Sequence, residues 1–112
     1  MTSPRQKKIS KLLQKDLSDI FQKESLKLFK GALVSATIVR VSPDISVAKV
    51  YVSIFSTNKD IDVFALINKH KKSIRYKLAE RVKNQLRIIP ELSFYLDDSL
   101  DYIENIEGLL NA

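Results

Sequence analysis

Eight cations stand within nineteen residues of this chain: Lys69, Lys71, Lys72, Arg75, Lys77, Arg81, Lys83 and Arg87, with one acid, Glu80, among them. Arginine forks clasp phosphate oxygens while lysines supply mobile point charge, so this density of these residue types suits a polyanion. Lys8, Lys11 and Lys15 form a second line at i, i+3 and i+7, with no acid before Asp16. The bland alternative is a solvated helix face, and some of the eight must flank the apolar stripe of their own element. Exposed aromatics for stacking bases are not evident. Tyr51, Tyr76 and Tyr95 are candidates but read as packing residues, which favours recognition through phosphates and RNA shape.

Other chemistries are poorly supplied. A hydrolase triad needs a histidine held between nucleophile and carboxylate, and the one histidine, His70, sits among lysines with nothing to orient it. Asp97, Asp98, Asp101 and Glu104 are oxygen ligands of the kind Mg²⁺ or Ca²⁺ accepts. Their spacing fits no calcium loop, and acids at a helix start also complement its dipole. Gly31 and Gly108 are the only glycines, so no phosphate-binding loop or dinucleotide fingerprint can be drawn. Without cysteine there is no disulfide, zinc–thiolate site or thiol nucleophile. The sequence therefore predicts no cofactor, no metal and no enzyme.

The charge is divided along the chain. Residues 1–87 carry all 19 Lys and Arg against 7 acids, a net +12, whereas residues 88–112 carry 6 acids and no base, a net −6. A basic body of this kind attracts polyanions over long range. The acidic end reads as a screening tail, a partner site or a plain solvated helix, the last being the favoured reading. Arg5, Lys7, Lys8 and Lys11 are not followed by the apolar stretch of about seven or more residues that a signal peptide requires. No run approaches the ~18 apolar residues of a membrane span. The expected location is the cytoplasm.

The elements that must position these residues follow from spacing. Ser3 and Pro4 open a helix, along which Ile9, Leu13, Leu17 and Ile20 recur, ending between Phe21 and Leu28. Gly31 closes that region. The β-branched runs Leu33–Val41 and Val47–Ile54 predict two strands, and Ser42-Pro43-Asp44-Ile45-Ser46 between them predicts a turn and an antiparallel hairpin. Val63, Phe64 and Ile67, then Ile74, Leu78 and Val82, predict a helix that kinks between His70 and Ser73. An unbroken helix would place Lys71 on the apolar face. Ser73 is the expected cap of the second half. Pro90 blocks continuation, Leu92–Leu96 alternates as a third strand, and Leu100, Ile103, Ile106 and Leu110 suggest a last helix. This predicts one α+β domain with helices on one face of a three-stranded sheet, its core near residues 4–99 and an acidic tail at 100–112.

Two blocks are the most specific features: Val41-Ser42-Pro43-Asp44-Ile45-Ser46-Val47-Ala48-Lys49-Val50-Tyr51-Val52-Ser53 and Leu86-Arg87-Ile88-Ile89-Pro90-Glu91-Leu92-Ser93-Phe94. With Ile74, Arg75 and Asp97 they resemble the ribosome-binding factor A family, over roughly Pro4 to Ser99. The element order is that of the bacterial type II KH domain, and like that family the chain has no Gly-x-x-Gly loop between its inner helices. It departs from the family's usual Ala-x-Gly kink, reading His70-Lys71-Lys72-Ser73 instead.

The resemblance implies a monomeric, non-catalytic factor that binds the free or immature small ribosomal subunit through its rRNA. It implies assistance in late maturation and 5′-end processing of the precursor, importance in the cold, and release by ribosome-associated GTPases. Family contacts run through the kinked helix, which transfers an RNA-binding role to Lys71, Lys72, Arg75, Lys77 and Arg81, with Lys8, Lys11 and Lys15 as an auxiliary stripe. Reversing charge at Arg75, Lys77 and Arg81 is expected to weaken binding and spare the fold. The alternatives are a general nucleic-acid-binding or ribosomal structural protein, and a metal-dependent RNA-processing enzyme using the acids from Asp97 to Glu104.

Overall fold

A 20-residue helix, α1 (Pro4–Lys23), begins the computed structural model, which describes residues 3–97. Its start is fixed by a reciprocal cap: the Gln6 amide donates to Ser3 Oγ (3.1 Å), and the Ser3 amide donates to Gln6 Oε1 (2.9 Å). The buried Gln6 side chain also donates to the Val41 carbonyl (3.0 Å), tying the helix start to the end of the first strand. Ile9, Leu13, Leu17, Ile20 and Phe21 are buried along the face foreseen from their spacing. The predicted end between Phe21 and Leu28 resolves into a break at Glu24 and a one-turn helix, α2 (Ser25–Leu28). Gly31 then takes φ +90°, a region open to glycine at no steric cost.

The sheet is made of β1 (Leu33–Val41), β2 (Val47–Phe55) and β3 (Glu91–Leu96), in that spatial order. β1 and β2 pair antiparallel, as the short turn requires, while β3 lies parallel to β2 with Val50 opposite Phe94. A bulge at Thr37 shifts the register between Ala36 and Ile38. It returns Val39 and Val41 to the core side and turns Ile38 outward, where strict alternation would have pointed Ile38 inward. Gln14 stabilises the bulge by donating to the Thr37 carbonyl (2.8 Å).

The β1–β2 turn is held by Asp44, whose Oδ1 accepts from Ser42 Oγ and Ser46 Oγ (each 2.7 Å) and from the Ser46 amide (3.2 Å). These donors stabilise the charged carboxylate and lower its pKa to about 2. The same turn forces Ile45 to φ 62° with its side chain buried. A β-branched residue is rarely found there; burial of that side chain offsets the backbone strain.

α3 (Val63–Lys69) and α4 (Lys71–Val82) break at His70, within the predicted kink. The expected cap differs. The Ile74 amide donates to the His70 carbonyl (2.9 Å), so α4 starts at Lys71 and Ser73 lies inside its first turn. Ser73 therefore caps nothing, and the His70 side chain makes no cap bond either. α3 has its own cap in Asp62, whose Oδ1 accepts from the Ala65 amide (3.0 Å). Phe21, centred between Phe29 (5.9 Å) and Phe94 (6.2 Å), joins helix, loop and sheet in one core with Ile67, Ile74, Leu78 and Val50.

Among the described residues, the helices lie on one face of the sheet and the other face is uncovered. The α+β architecture and KH-like order agree with expectation. The last helix suggested from Leu100 to Leu110 lies outside the described residues. Among those described, no helix is long and apolar enough to cross a membrane.

Candidate nucleic-acid interface

The cations of α4 divide into two sets facing different neighbours. Burial of Ile74, Leu78 and Val82 fixes the rotation of the helix. That rotation turns Lys77 and Arg81 toward α1, and Lys71, Lys72 and Arg75 toward β3 and the loop before it.

On the α1 side, Arg81 Nε stands 3.2 Å from Asp16 Oδ1, and its Nη2 stands 3.0 Å from Asp19 Oδ2. Lys77 Nζ is 3.6 Å from Glu24 Oε1. Two of the segment's cations therefore meet acids distant in sequence. Charge reversal there would set carboxylate against carboxylate, so the expectation that reversing Arg75, Lys77 and Arg81 spares the fold is corrected.

On the other side, Arg75 grips the chain before β3. Its Nε donates to the Pro90 carbonyl (3.1 Å) and its Nη2 to the Ile89 carbonyl (2.7 Å). Arg75 and Ile89 line a groove of about 800 Å³ between α4 and β3, together with Lys71, Lys72, Tyr76, Arg87, Glu91 and Ser93, among others. Tyr76 is 68% exposed at its wall, against its reading as a packing residue.

Arg87 also lines a second cleft, of about 570 Å³, with Arg5, Lys8 and Leu12 of α1. Arg87, common to both clefts, links Lys71 and Lys72 of the first to Lys8 and Arg5 of the second in a cationic track, with the acid Glu91 also lining the first cleft. Arg87 and Arg5 are not among the sequence-predicted site residues, although Arg87 stands out in the sequence both as the last cation of the cluster and within the second family-like block. The lysine stripe of α1 does not act as one unit. Lys8 joins the track, Lys11 lines a groove against β1 with Lys7 and Arg40, and exposed Lys15 lines neither.

A second surface is equally distinct. Tyr51 and Tyr95, opposite one another in β2 and β3, stack with ring centroids 5.4 Å apart at 28° on the uncovered sheet face. Tyr95 is 42% exposed, also against its reading as a packing residue.

Among the described residues, no group of three His, Cys, Asp or Glu side chains is placed to hold a metal ion. Of the acids read as oxygen ligands, Asp97 accepts a hydrogen bond from Thr37 Oγ1 (2.5 Å), while Asp98, Asp101 and Glu104 lie outside the described residues.

Comparison with known proteins places this geometry in context. The family model for ribosome-binding factor A matches residues 5–110. The chain is 50% identical over 104 residues to "Ribosome-binding factor A" of Christiangramia forsetii, covering 92% of this chain and 79% of that one. It is 45% identical over 111 residues to the protein of the same name from Cytophaga hutchinsonii, covering 99% and 84%. Its fold matches a homology model of Thermus thermophilus ribosome-binding factor A fitted into an electron cryomicroscopy map of a 30S complex, with TM-score 0.62. Identity is 28%, covering 80% of this chain and 91% of that one.

Proposed function

The chain belongs to the ribosome-binding factor A family, and from that premise we propose that it binds the free or immature small ribosomal subunit through its rRNA. It neutralises closely spaced phosphates, holds an immature RNA conformation, and so assists late maturation and 5′-end processing of the precursor. It does no cleavage and needs no cofactor. It acts as a single-domain monomer in the cytoplasm, matters most in the cold, and leaves before translation, with ribosome-associated GTPases as releasing partners.

The observation that carries this reading is the cationic track. Lys71, Lys72 and Arg87 line the groove between α4 and β3, and Arg87, Lys8 and Arg5 line the cleft that adjoins it. Phosphate contacts of this kind position a protein on folded RNA without reading sequence. Arg75 acts here by setting the loop that carries Arg87. Lys77 and Arg81 contribute field at the back of the helix while holding α1, and Lys11 and Lys15 lie on the flank.

Sedimentation of a lysate through a sucrose gradient tests the proposal. The protein should travel with free small subunits and be absent from translating ribosomes. Presence throughout translating ribosomes would mark a permanent ribosomal component. Equal affinity for random duplex DNA and subunit RNA would mark a general nucleic-acid binder.

A further inference from the structure

The uncovered sheet face presents, along its strands, four rows of side chains. Leu33 lies opposite Phe55, Ser35 opposite Ser53, Ile38 opposite Tyr51 and thence Tyr95, and Arg40 opposite Lys49 and thence Ser93. Ile38 reaches this face only because Thr37 is bulged. Tyr95 stands on β3, the edge strand of the described sheet, so among the described residues no strand lies beyond its outer ring face. The stacked pair is thus open at one end, and the row two residues further along, ~7 Å away, carries two cations. Of the acids nearby, Glu91 lies at the far end opposite Val47, and the Asp97 carboxylate is engaged by the Thr37 hydroxyl.

We infer that this face is a stacking platform for an unpaired RNA segment, distinct from the cationic track and meeting it at the β3 edge, where Ser93 borders both. A base extends the Tyr51–Tyr95 stack on the outer face of Tyr95, and Arg40 and Lys49 take the adjoining phosphates. Sheet aromatics with flanking cations bind single strands in this way, because every base offers a π-face. Ser53 and Ser93 offer hydroxyls to base edges. A protein partner fits less well, since serines separate the apolar Leu33–Phe55 pair from the tyrosines and cations fill the next row. The inference rests on the RNA-binding reading above and adds a second, single-stranded ligand to it.

Fluorescence anisotropy of the full chain with a labelled ten-nucleotide single-stranded RNA, and with a duplex RNA of the same length, separates the two surfaces. Tyr95→Ala should weaken the single-stranded probe about tenfold or more and leave the duplex probe unchanged. Tyr95→Phe should restore binding, and Tyr95→Leu, which keeps apolar bulk without the ring, should not. That pair carries the test if the alanine variant misfolds. Lys71→Glu with Lys72→Glu should reduce duplex and subunit binding instead. Single-stranded binding that is absent, or indifferent to Tyr95→Leu, overturns the platform while the subunit reading stands on its gradient. A ring-dependent single-strand affinity without subunit co-sedimentation supports the platform and sinks the subunit reading. A dimer broken by Tyr95→Leu, with RNA affinity unmoved, would assign the face to a second copy and overturn the inference.

Discussion

Arg81 Nε lies 3.2 Å from Asp16 Oδ1, a contact that makes a cation of the basic segment a strut between α4 and α1. Asp19 completes the clasp at 3.0 Å. The pair is partly shielded, with the Asp16 side chain 15% exposed, so it should exceed a free surface pair while remaining modest. Arg81→Gln should cost about 1 kcal/mol. A double-mutant cycle with Asp16→Asn, read by urea unfolding, should show a coupling of roughly 0.5–1 kcal/mol. Arg81→Glu should cost more, since it faces two carboxylates.

Arg75 is expected to matter to the loop before β3 more than to RNA directly. Arg75→Met keeps the aliphatic stem and removes both bonds to the Ile89 and Pro90 carbonyls. Stability should fall by about 1 kcal/mol, and the amides of Arg87, Ile88 and Ile89 should exchange faster with solvent. Unchanged exchange there would show that the loop holds without the grip.

The Asp44 turn should be acid-sensitive. Its carboxyl titrates near 2 in the fold and near ~3.9 when unfolded. A depressed folded value contributes stability that is fully present above the unfolded value and lost as pH falls through the folded one. Asp44→Asn retains an acceptor oxygen and lacks this titration. The stability gap between wild type and Asp44→Asn should therefore be constant above about pH 5 and close between about pH 4 and pH 2. Urea midpoints at successive pH values in both proteins measure it.

At Ile45 the usual order of substitutions should invert. Truncation to Ala or Gly removes the buried side chain beyond Cβ in both cases, but only Gly, without Cβ, is at ease at φ 62°. Ile45→Gly should be more stable than Ile45→Ala by about 1 kcal/mol. The opposite order in chemical denaturation would mean that the turn relaxes out of the left-handed region.

Much of the fold was legible because its signals are local. β-branched runs bounded by Pro43-Asp44 marked β1 and β2, and Lys71 on an apolar face marked the break at His70. The bulge was not legible. Val34, Thr37, Ile38, Val39 and Val41 read as strand in either register, and Thr37 is displaced only once β1 is paired and Gln14 has engaged its carbonyl. Ser73 misled because serine is a good cap by type, whereas the true start of α4 depends on the carbonyl of His70.

The candidate site was legible as composition and not as surface. Periodicity told which residues of α4 faced inward, but not that α1 would bring Asp16, Asp19 and Glu24 against Lys77 and Arg81. Nor did it tell that Arg87 would sit between two clefts. Tyr76 and Tyr95 read as core because tyrosines in alternating or helical patterns usually pack. Their exposure follows from an α4 rotation and a bare sheet face that only the assembled layers determine.

Lys71 and Lys72 give the sharpest separation of binding from folding, because neither makes a salt bridge among the described residues, while Lys77, Arg81 and Lys83 do. If about five phosphates are contacted on helical RNA, log affinity falls against log salt with a slope near −4. Changing both lysines to Ser should reduce the magnitude of that slope by about 1.5 to 2. Thermal stability should stay within the ~0.5 kcal/mol expected of surface changes. Arg81→Gln should do the reverse, lowering stability with little change in slope. Affinity for the small subunit measured at several salt concentrations, beside unfolding curves for the same proteins, decides it. A salt slope that moves with Arg81 and not with Lys71 and Lys72 would shift the RNA to the α1 side of the helix.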